Sequence, residues 1–127
     1  MKVTHLERED AKVVEMDGAR KVTVKVPITE KDGAPTFTMR VFSMEPGGNT
    51  PFHRHEYEHE ILILKGSGLV HFQDTTVELS PGTALLVNPN EWHGFKASAT
   101  EGMEMVCLVP NKAYHGIKPE PGDWPAA

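Results

Sequence analysis

The residues with the clearest chemical meaning are histidines, which recur at short intervals over residues 53–59 and return at position 93. Residues 53–59 read HRHEYEH, and residues 89–93 read PNEWH. Four of the seven histidines therefore lie in two short segments. Imidazole is the commonest side-chain ligand for a divalent transition metal. The arrangement predicts a metal site formed by His53, His55, His59 and His93.

The spacing of the first three histidines constrains the backbone that carries them. On a strand, residues two apart project to the same face, so His53 and His55 would point into one cavity. An uninterrupted strand would carry His59 roughly 20 Å from His53, which is too far to share an ion. We therefore expect a turn at residues 56–58 and an apolar returning strand at residues 61–64. This pattern predicts a hairpin with three inward histidines.

A helical alternative exists, because residues 55–59 also spell the HExxH pattern. In that motif a helix presents two zinc ligands four residues apart and the glutamate acts as a base. The preceding residues 45–51, EPGGNTP, are typical of a turn region, and no long amphipathic helix is evident elsewhere. The metalloprotease interpretation is therefore the less favoured one.

Composition limits the classes of partner and compartment. A chain of 127 residues fits one domain with one core, so we expect a single domain over residues 1–127. The net charge of −5 and the lack of a basic cluster argue against a nucleic-acid or membrane partner. Residues 1–10 lack the apolar stretch of a signal peptide. Because Cys107 is the one cysteine, no internal disulfide can form, and a cytoplasmic location is expected.

Short alternating or β-branched runs, separated by glycine, proline, asparagine and aspartate, predict an all-β sandwich or barrel. The proline-rich residues 110–127 are expected to lie irregularly over the surface, with Trp124 as an anchor or a subunit contact. In addition to the hairpin, strands are predicted at residues 21–26, 37–42, 68–73, 75–79, 83–87, 92–96 and 103–109.

The histidine segment resembles the first motif of the cupins, which are small double-stranded β-helix (jelly-roll) barrels. That motif, G-x5-H-x-H-x3-E-x6-G, is matched by Gly47, His53, His55 and Gly66 with every spacing intact. His59 stands where the family usually has glutamate, and this resembles a subgroup of single-domain cupins with four histidine ligands.

His93 matches the histidine of the second cupin motif, although the asparagine usual four residues later is Ala97. The resemblance spans residues 37–109. It implies a cupin barrel over the chain, four histidine ligands to one metal, and a homodimer, to which exposed apolar residues such as Leu62 or Leu64 would contribute.

Ligand chemistry suggests which ion and which substrates such a site would bind. Four neutral imidazoles leave the charge of the ion uncancelled, so anionic ligands are favoured. Six-coordination would leave two positions for water or a chelating substrate. We expect one divalent transition metal per chain. The resemblance favours Mn²⁺ or Fe²⁺, and Zn²⁺, Ni²⁺ and Cu²⁺ are alternatives by ligand softness.

Other side chains are candidates for the wall of the site. Arg40 could recognise a carboxylate, or could equally form an outward salt bridge. Glu60 and Tyr57 could orient the ligand imidazoles, and His71, Glu60 or Tyr57 could serve as the acid or base. Cys107 is interpreted as a buried small hydrophobe. The predicted wall residues are Met39, Arg40, Phe42, Phe95, Met103 and Met105.

These features lead to a functional hypothesis. We expect a metal-dependent enzyme acting on a small anionic or oxygen-rich molecule that coordinates the ion directly. Dioxygenase or decarboxylase chemistry is the first choice, and cyclase, isomerase or lyase chemistry is the second. A non-catalytic small-ligand-binding cupin is the alternative from another class, because a fold alone does not decide function.

Overall fold

The computed structural model describes residues 1–125, and its regular structure is almost entirely β. Three short 3₁₀ helices, Leu6–Arg8, Glu30–Asp32 and Asn111–Tyr114, lie outside the strands. The all-β prediction is confirmed. The strands are β1 (Lys12–Val13), β2 (Arg20–Ile28), β3 (Phe37–Asn49), β4 (His53–Arg54), β5 (His59–Gly66), β6 (Gly68–Phe72), β7 (Thr75–Leu79), β8 (Ala84–Val87), β9 (His93–Ala97), β10 (Met103–Pro110) and β11 (Glu120–Pro121).

The strands pair antiparallel in one curled sheet whose spatial order differs from the chain order. The main path runs β11-β4-β9-β3-β10-β5-β8. Strand β2 joins β1 to β3, and β6 joins β7 to β9. Strands from the two ends of the chain therefore lie beside strands from its middle, which closes the sheet around an interior.

The predicted histidine hairpin is wrong in its pairing. Strand β4 pairs with β9 and β11, whereas β5 pairs with β10 and β8. Residues 56–58 do turn the chain, but the turn carries it to a different part of the curled sheet. The three histidines still approach one another, because β4 and the start of β5 face the same interior.

Strand β3 is much longer than predicted, because it continues through residues 45–49, which the sequence suggested as a turn region. Its pairing with β2 shifts register between Arg20 and Val22, which marks a bulge. At Gly47 the backbone has a φ of 78°, and a Cβ on Gly48 would lie 2.9 Å from the carbonyl oxygen of Arg20. These glycines let the strand bend and stay paired.

The interior is filled by the inward faces of β5 and β10. In β5, Ile61 and Ile63 are buried while Glu60, Leu62 and Leu64 are exposed, which is the alternation expected of a half-buried strand. Burying one such aliphatic side chain contributes roughly 1.5–3 kcal/mol. The matching inward residues of β10 are Met103, Met105, Cys107 and Val109.

The C-terminal segment is more ordered than the expected irregular tail. After the 3₁₀ helix at Asn111–Tyr114, strand β11 pairs with β4, and the N–H of Gly122 donates to the carbonyl of Phe52. Trp124 packs beside Phe52, with ring centroids 5.6 Å apart. The predicted anchoring role of Trp124 is therefore supported within residues 110–125, and positions 126 and 127 lie outside the described residues.

Candidate metal centre

The histidines reach the interior from three places in the fold. His53 lies in β4, His55 lies in the turn that follows it, and His93 begins β9. His53 and His93 are direct cross-strand partners, with ring centroids 4.9 Å apart. The ring of His55 lies 5.2 Å from that of His53 and 4.9 Å from that of His93.

These three residues have the geometry of a metal-binding group. One ring nitrogen from each of His53, His55 and His93 lies within 4.8 Å of the others. Their rings meet edge to face, so the nitrogens point inward instead of the flat faces stacking. A divalent ion placed among them could accept a lone pair from each.

Backbone hydrogen bonds fix the orientation of two of the rings. The Nδ1–H of His55 donates to the carbonyl of Tyr57, and the Nδ1–H of His93 donates to the carbonyl of Glu91, both at 2.7 Å. This tautomer leaves a lone pair on Nε2 of each ring, and both Nε2 atoms are buried without a hydrogen-bond partner in the described chain. Buried polar atoms rarely stay unpaired. Converging lone pairs of this kind fit a bound cation.

His59 is beside this group but differs from it in its contacts. Its ring is buried and stacks on His55, with centroids 4.3 Å apart. Its Nε2 lies 3.3 Å from Nη2 of Arg40, and the guanidinium must be the donor in that contact. The structure thus brings three of the four predicted ligands together and places the fourth against them, turned towards Arg40.

Burial keeps the histidine cluster uncharged. Desolvation, followed by the neighbouring imidazoles, lowers the pKa of His53 to about 3 and that of His55 to about 4. The pKa of His59 lies well below its usual range because of burial and then the charge of Arg40. Burial also lowers the pKa of His93. At neutral pH all four rings are therefore neutral, which is the form that binds metal.

A cavity extends from the histidines into the barrel and contains about 570 Å³ of space, part of it open to solvent. Four of the predicted wall residues, Arg40, Phe42, Phe95 and Met105, line it. Its surface is mainly apolar, which is usual for small-molecule sites. The cavity therefore offers a hydrophobic chamber with polar groups concentrated at one place.

Several predicted wall residues lie elsewhere. Met39 is outside the cavity lining, and its neighbour Arg40 takes the inward position instead. Met103 is buried, but it contributes to the core at another level of β10, next to Gly68. Glu60 is exposed on the outer face of β5, so it does not orient a ligand ring. Met103 and Met105 lie on the same inward face of β10, so their difference is one of level along the strand and not of side-chain direction.

The structure places Tyr57 at the cavity and His71 away from it. Tyr57 lines the cavity, and its ring stacks on His55 at 4.1 Å with an interplanar angle of 7°. Its carbonyl also holds the His55 ring. His71 bonds to the Thr76 hydroxyl and the Gln73 carbonyl instead of entering the cavity. Of the three acid or base candidates, Tyr57 is the one that the structure places at the cavity.

The helical HExxH interpretation is wrong. Residues 56–57 form a bend, and His59 begins strand β5. Because no helix presents the two histidines from one face, the glutamate of that pattern is not placed to act as the base.

No helix in residues 1–125 has the length and apolar character needed to cross a membrane.

Other residues line the cavity although no sequence pattern predicted them there. Val14, Met16 and Ala19 from the N-terminal region line the cavity, as does Pro119 from the C-terminal segment. They reach it through long-range docking of both chain ends. Cys107 is buried as predicted, but it also lines the cavity, where Nη2 of Arg40 lies 3.0 Å from its Sγ.

Comparison with solved structures supports this architecture. The chain is similar to the polyketide cyclase RemF from Streptomyces resistomycificus, at 30% identity and a TM-score of 0.89. That match covers 98% of this chain and 87% of RemF. A cupin-2 domain protein from Rhodospirillum rubrum, Rru_A2000, has the same fold at 24% identity and a TM-score of 0.80, covering 96% of this chain and 80% of that one.

Among curated proteins, the chain is 31% identical over 74 residues to the 1-methylthio-D-xylulose 5-phosphate methylsulfurylase of Rhodospirillum rubrum. It is 38% identical over 53 residues to the auxin-binding protein T85 of Nicotiana tabacum. These matches cover 58% and 42% of this chain, and 47% and 26% of the two relatives. The chain therefore spans about half or less of the length of the curated relatives it matches.

The family model described as "Cupin domain" matches residues 40–109, which include all four histidines and most of the cavity wall. The match covers more than half of the chain, and the curled antiparallel sheet is the jelly-roll barrel expected of it. The chain belongs to the cupin family.

Proposed function

We propose that this cupin is a metal-dependent enzyme that acts on a small anionic or oxygen-rich molecule inside the barrel. The observation that carries this proposal is the set of converging, buried histidine nitrogens that have no hydrogen-bond partner among residues 1–125. A bound divalent ion would supply Lewis-acid polarisation of a substrate oxygen, and iron or manganese would add redox chemistry. Mn²⁺ and Fe²⁺ remain the favoured ions, with Zn²⁺, Ni²⁺ and Cu²⁺ as alternatives.

In this proposal His53, His55 and His93 hold the ion and His59 completes the set. The backbone carbonyls that receive the Nδ1–H groups of His55 and His93 keep these rings in the ligating tautomer. His59 would have to release its contact with Arg40, or coordinate through its other ring nitrogen. Its ring stacks on that of His55, with centroids 4.3 Å apart, so it lies beside the residues that would hold the ion.

The cavity wall supports chemistry on a bound substrate in two ways. Its apolar side chains lower the local dielectric and so strengthen attraction between opposite charges. Burial raises the pKa of Tyr57, which keeps its hydroxyl protonated at neutral pH. We assign Tyr57 the role of proton donor to a substrate oxygen, because it is the acid or base candidate that lines the cavity.

Of the reaction classes that the sequence leaves open, we now favour cyclase, isomerase or lyase chemistry. The similarity to RemF, a polyketide cyclase, extends over nearly the whole chain. Dioxygenase or decarboxylase chemistry, the first choice from the sequence, stays a prediction. Oxygen consumption by the iron- or manganese-loaded protein in the presence of substrate would separate dioxygenase chemistry from the cyclase class.

A second candidate function is small-ligand binding without catalysis. The similarity to an auxin-binding protein gives this candidate a specific basis, although it covers 42% of the chain. The two candidates differ in turnover. An enzyme converts many equivalents of substrate per chain, whereas a binding module releases its ligand unchanged.

The metal centre itself is tested by elemental analysis of protein purified without added metal. We expect close to one ion per chain in the wild type and a loss of at least 100-fold in metal affinity in His55→Ala. His115→Gln is the matched control, because His115 is exposed and pairs with Glu30 away from the cavity. A metal-free wild type that also fails to bind added manganese, iron or zinc would end the proposal.

A further inference from the structure

Arg40 is a cation in the cavity wall for which residues 1–125 supply no counter-charge. Its Nη2 lies 3.0 Å from the thiol of Cys107 and 3.3 Å from Nε2 of His59. Its guanidinium also lies over the ring of Phe42, 4.9 Å from the centroid. These neighbours are a thiol, an imidazole and an aromatic face, and none of them carries a negative charge at neutral pH.

The ionisation of the neighbours supports this description. Burial raises the pKa of the Cys107 thiol, so this group stays protonated near Arg40. None of the ion pairs found in residues 1–125 includes Arg40. The guanidinium therefore keeps a full positive charge that the described protein does not neutralise.

Such an arrangement is costly unless something else compensates it. Arg40 is half-buried, and a charge that is partly withdrawn from water without a partner loses hydration that the protein does not replace. The Nε of Arg40 adds to this free-energy cost, because it is buried and has no hydrogen-bond partner in residues 1–125. An anion bound in the cavity would supply both the missing charge and additional acceptors.

The position of Arg40 restricts where that anion would lie. Because Nη2 contacts His59, the guanidinium is next to the histidine cluster and not at a remote wall. The same cavity offers Phe95 and Met105 as apolar surface. A ligand that pairs with Arg40 and also contacts this apolar surface needs a compact anionic head and a hydrophobic body.

We propose that Arg40 is the substrate-binding residue of this site and that it binds the carboxylate of a small carboxylic acid with an apolar body. This inference rests on the proposed function and names the substrate class for it. The planar fork of an arginine matches the two oxygens of a carboxylate. With the carboxylate on Arg40, the adjoining atoms of the substrate lie beside the histidine cluster, where the reaction would take place.

A binding experiment with simple probes tests the inference. The full chain, in both metal-free and metal-loaded form, is titrated with acetate, benzoate and benzamide by calorimetry. We expect benzoate to bind at least tenfold more tightly than benzamide, its neutral counterpart of similar shape. We also expect benzoate to bind more tightly than acetate, because the apolar walls contact the ring.

Substitutions of Arg40 test whether this residue binds benzoate. Arg40→Gln should weaken benzoate binding at least tenfold without changing benzamide binding, and Arg40→Lys should retain part of the affinity because it keeps the charge. Arg8→Gln, which removes an exposed arginine from the N-terminal 3₁₀ helix, should behave as the wild type. If Arg40→Gln does not fold, as judged by circular dichroism, the comparison between Arg40→Lys and the wild type decides, with a loss of at least threefold expected.

Three results would overturn the inference: none of the carboxylates binds to the wild type, benzamide binds as tightly as benzoate, or the Arg40 variants bind benzoate as the wild type does. Metal content is measured on the same samples. A loss of metal with unchanged benzoate binding in Arg40→Gln would mean that Arg40 only positions His59. If benzoate binding depends on Arg40 in a wild-type protein that neither contains metal nor binds added manganese, iron or zinc, the proposed function fails while the anion site stands.

Discussion

His53 and His93 face each other directly across strands β4 and β9, with their Cα atoms in register and their ring centroids 4.9 Å apart. The two halves of the histidine cluster are therefore joined by the backbone pairing of the sheet itself. Because strand pairing fixes side-chain position more firmly than a loop does, this pair forms a rigid base for the site. His55, whose ring is held by the carbonyl of Tyr57, completes that base.

The first prediction concerns His59, which stands where cupins usually have glutamate. His59→Glu should retain the metal, because a carboxylate can take the place of an imidazole as a ligand to a divalent transition metal. The new carboxylate would also lie within reach of Arg40 and pair with it. We therefore expect benzoate affinity to fall at least tenfold, measured by calorimetry alongside metal content.

The neutral variant His59→Gln serves as the control for that experiment. It removes the imidazole without adding charge, so Arg40 stays available and benzoate binding should remain within threefold of the wild-type value. Unchanged benzoate affinity in His59→Glu would show that a carboxylate at position 59 does not pair with Arg40, although Nε2 of His59 and Nη2 of Arg40 lie 3.3 Å apart in the structure.

The second prediction concerns the stability of the metal-free protein against pH. The pKa of His53 is lowered to about 3 and that of His55 to about 4, mainly by burial, whereas unfolded histidine titrates near 6.5. Above pH 6.5 both states are neutral and stability is independent of these groups. Below it the unfolded chain binds protons that the folded chain does not, so the free energy of unfolding falls as pH falls.

The expected slope is up to about 1.4 kcal/mol per histidine for each pH unit. Urea unfolding of the metal-free protein between pH 7 and pH 5 measures it, since most carboxylates do not yet titrate in that range. The double variant His53→Gln/His55→Gln should show a shallower decline. A wild-type stability that stays level down to pH 5 would contradict the lowered pKa values.

The sequence predicts which residues form the site better than it predicts how those residues are arranged in space. The spacing of His53, His55 and His59 is local information, and the match of His93 to a second motif adds the distant ligand. The partner of β4 could not be found in this way, because a turn of three residues permits either a hairpin or a change of neighbours. The structure shows the latter.

The cavity wall illustrates a second limit of sequence interpretation. Alternation identifies Phe42 and Met105 as candidates, and both line the cavity. Met39 lies on the opposite face of β3 from Arg40 and Phe42, whereas Met103 shares the inward face of β10 with Met105 but packs at another level, next to Gly68, so neither lines the cavity. Val14 and Pro119 reach it through docking of the chain termini. No periodicity within either terminus indicates that docking, because it depends on long-range contacts.

The third prediction tests how the C-terminal segment is held against the barrel. A Cβ on Gly94 would lie 2.6 Å from the ring of Trp124 and 3.2 Å from that of Phe52, which is closer than ordinary packing permits. Gly94→Ala should therefore displace Trp124 and destabilise the protein by about 1–3 kcal/mol, the usual cost of overpacking. Urea unfolding and the emission of the indole rings measure both effects.

A double variant separates this clash from other effects at position 94. In a Trp124→Ala background the ring is gone, so adding Gly94→Ala should cost much less than it does in the wild type. Equal costs in the two backgrounds would show that the destabilisation by Gly94→Ala does not come from a clash with Trp124.

The last prediction concerns self-association, which we expect to give a homodimer. Strand β8 ends the main sheet path, and Leu62 and Leu86 are exposed on the outer face of the β5–β8 pair, at 42% and 53%. An apolar patch beside an open strand edge is suited to pairing with a second copy. Leu62→Glu with Leu86→Glu should therefore convert the dimer to a monomer in size-exclusion chromatography with light scattering. Val13→Glu, an exposed change on β1, should leave the mass unchanged. A wild-type protein that already elutes with the mass of one chain would refute the prediction.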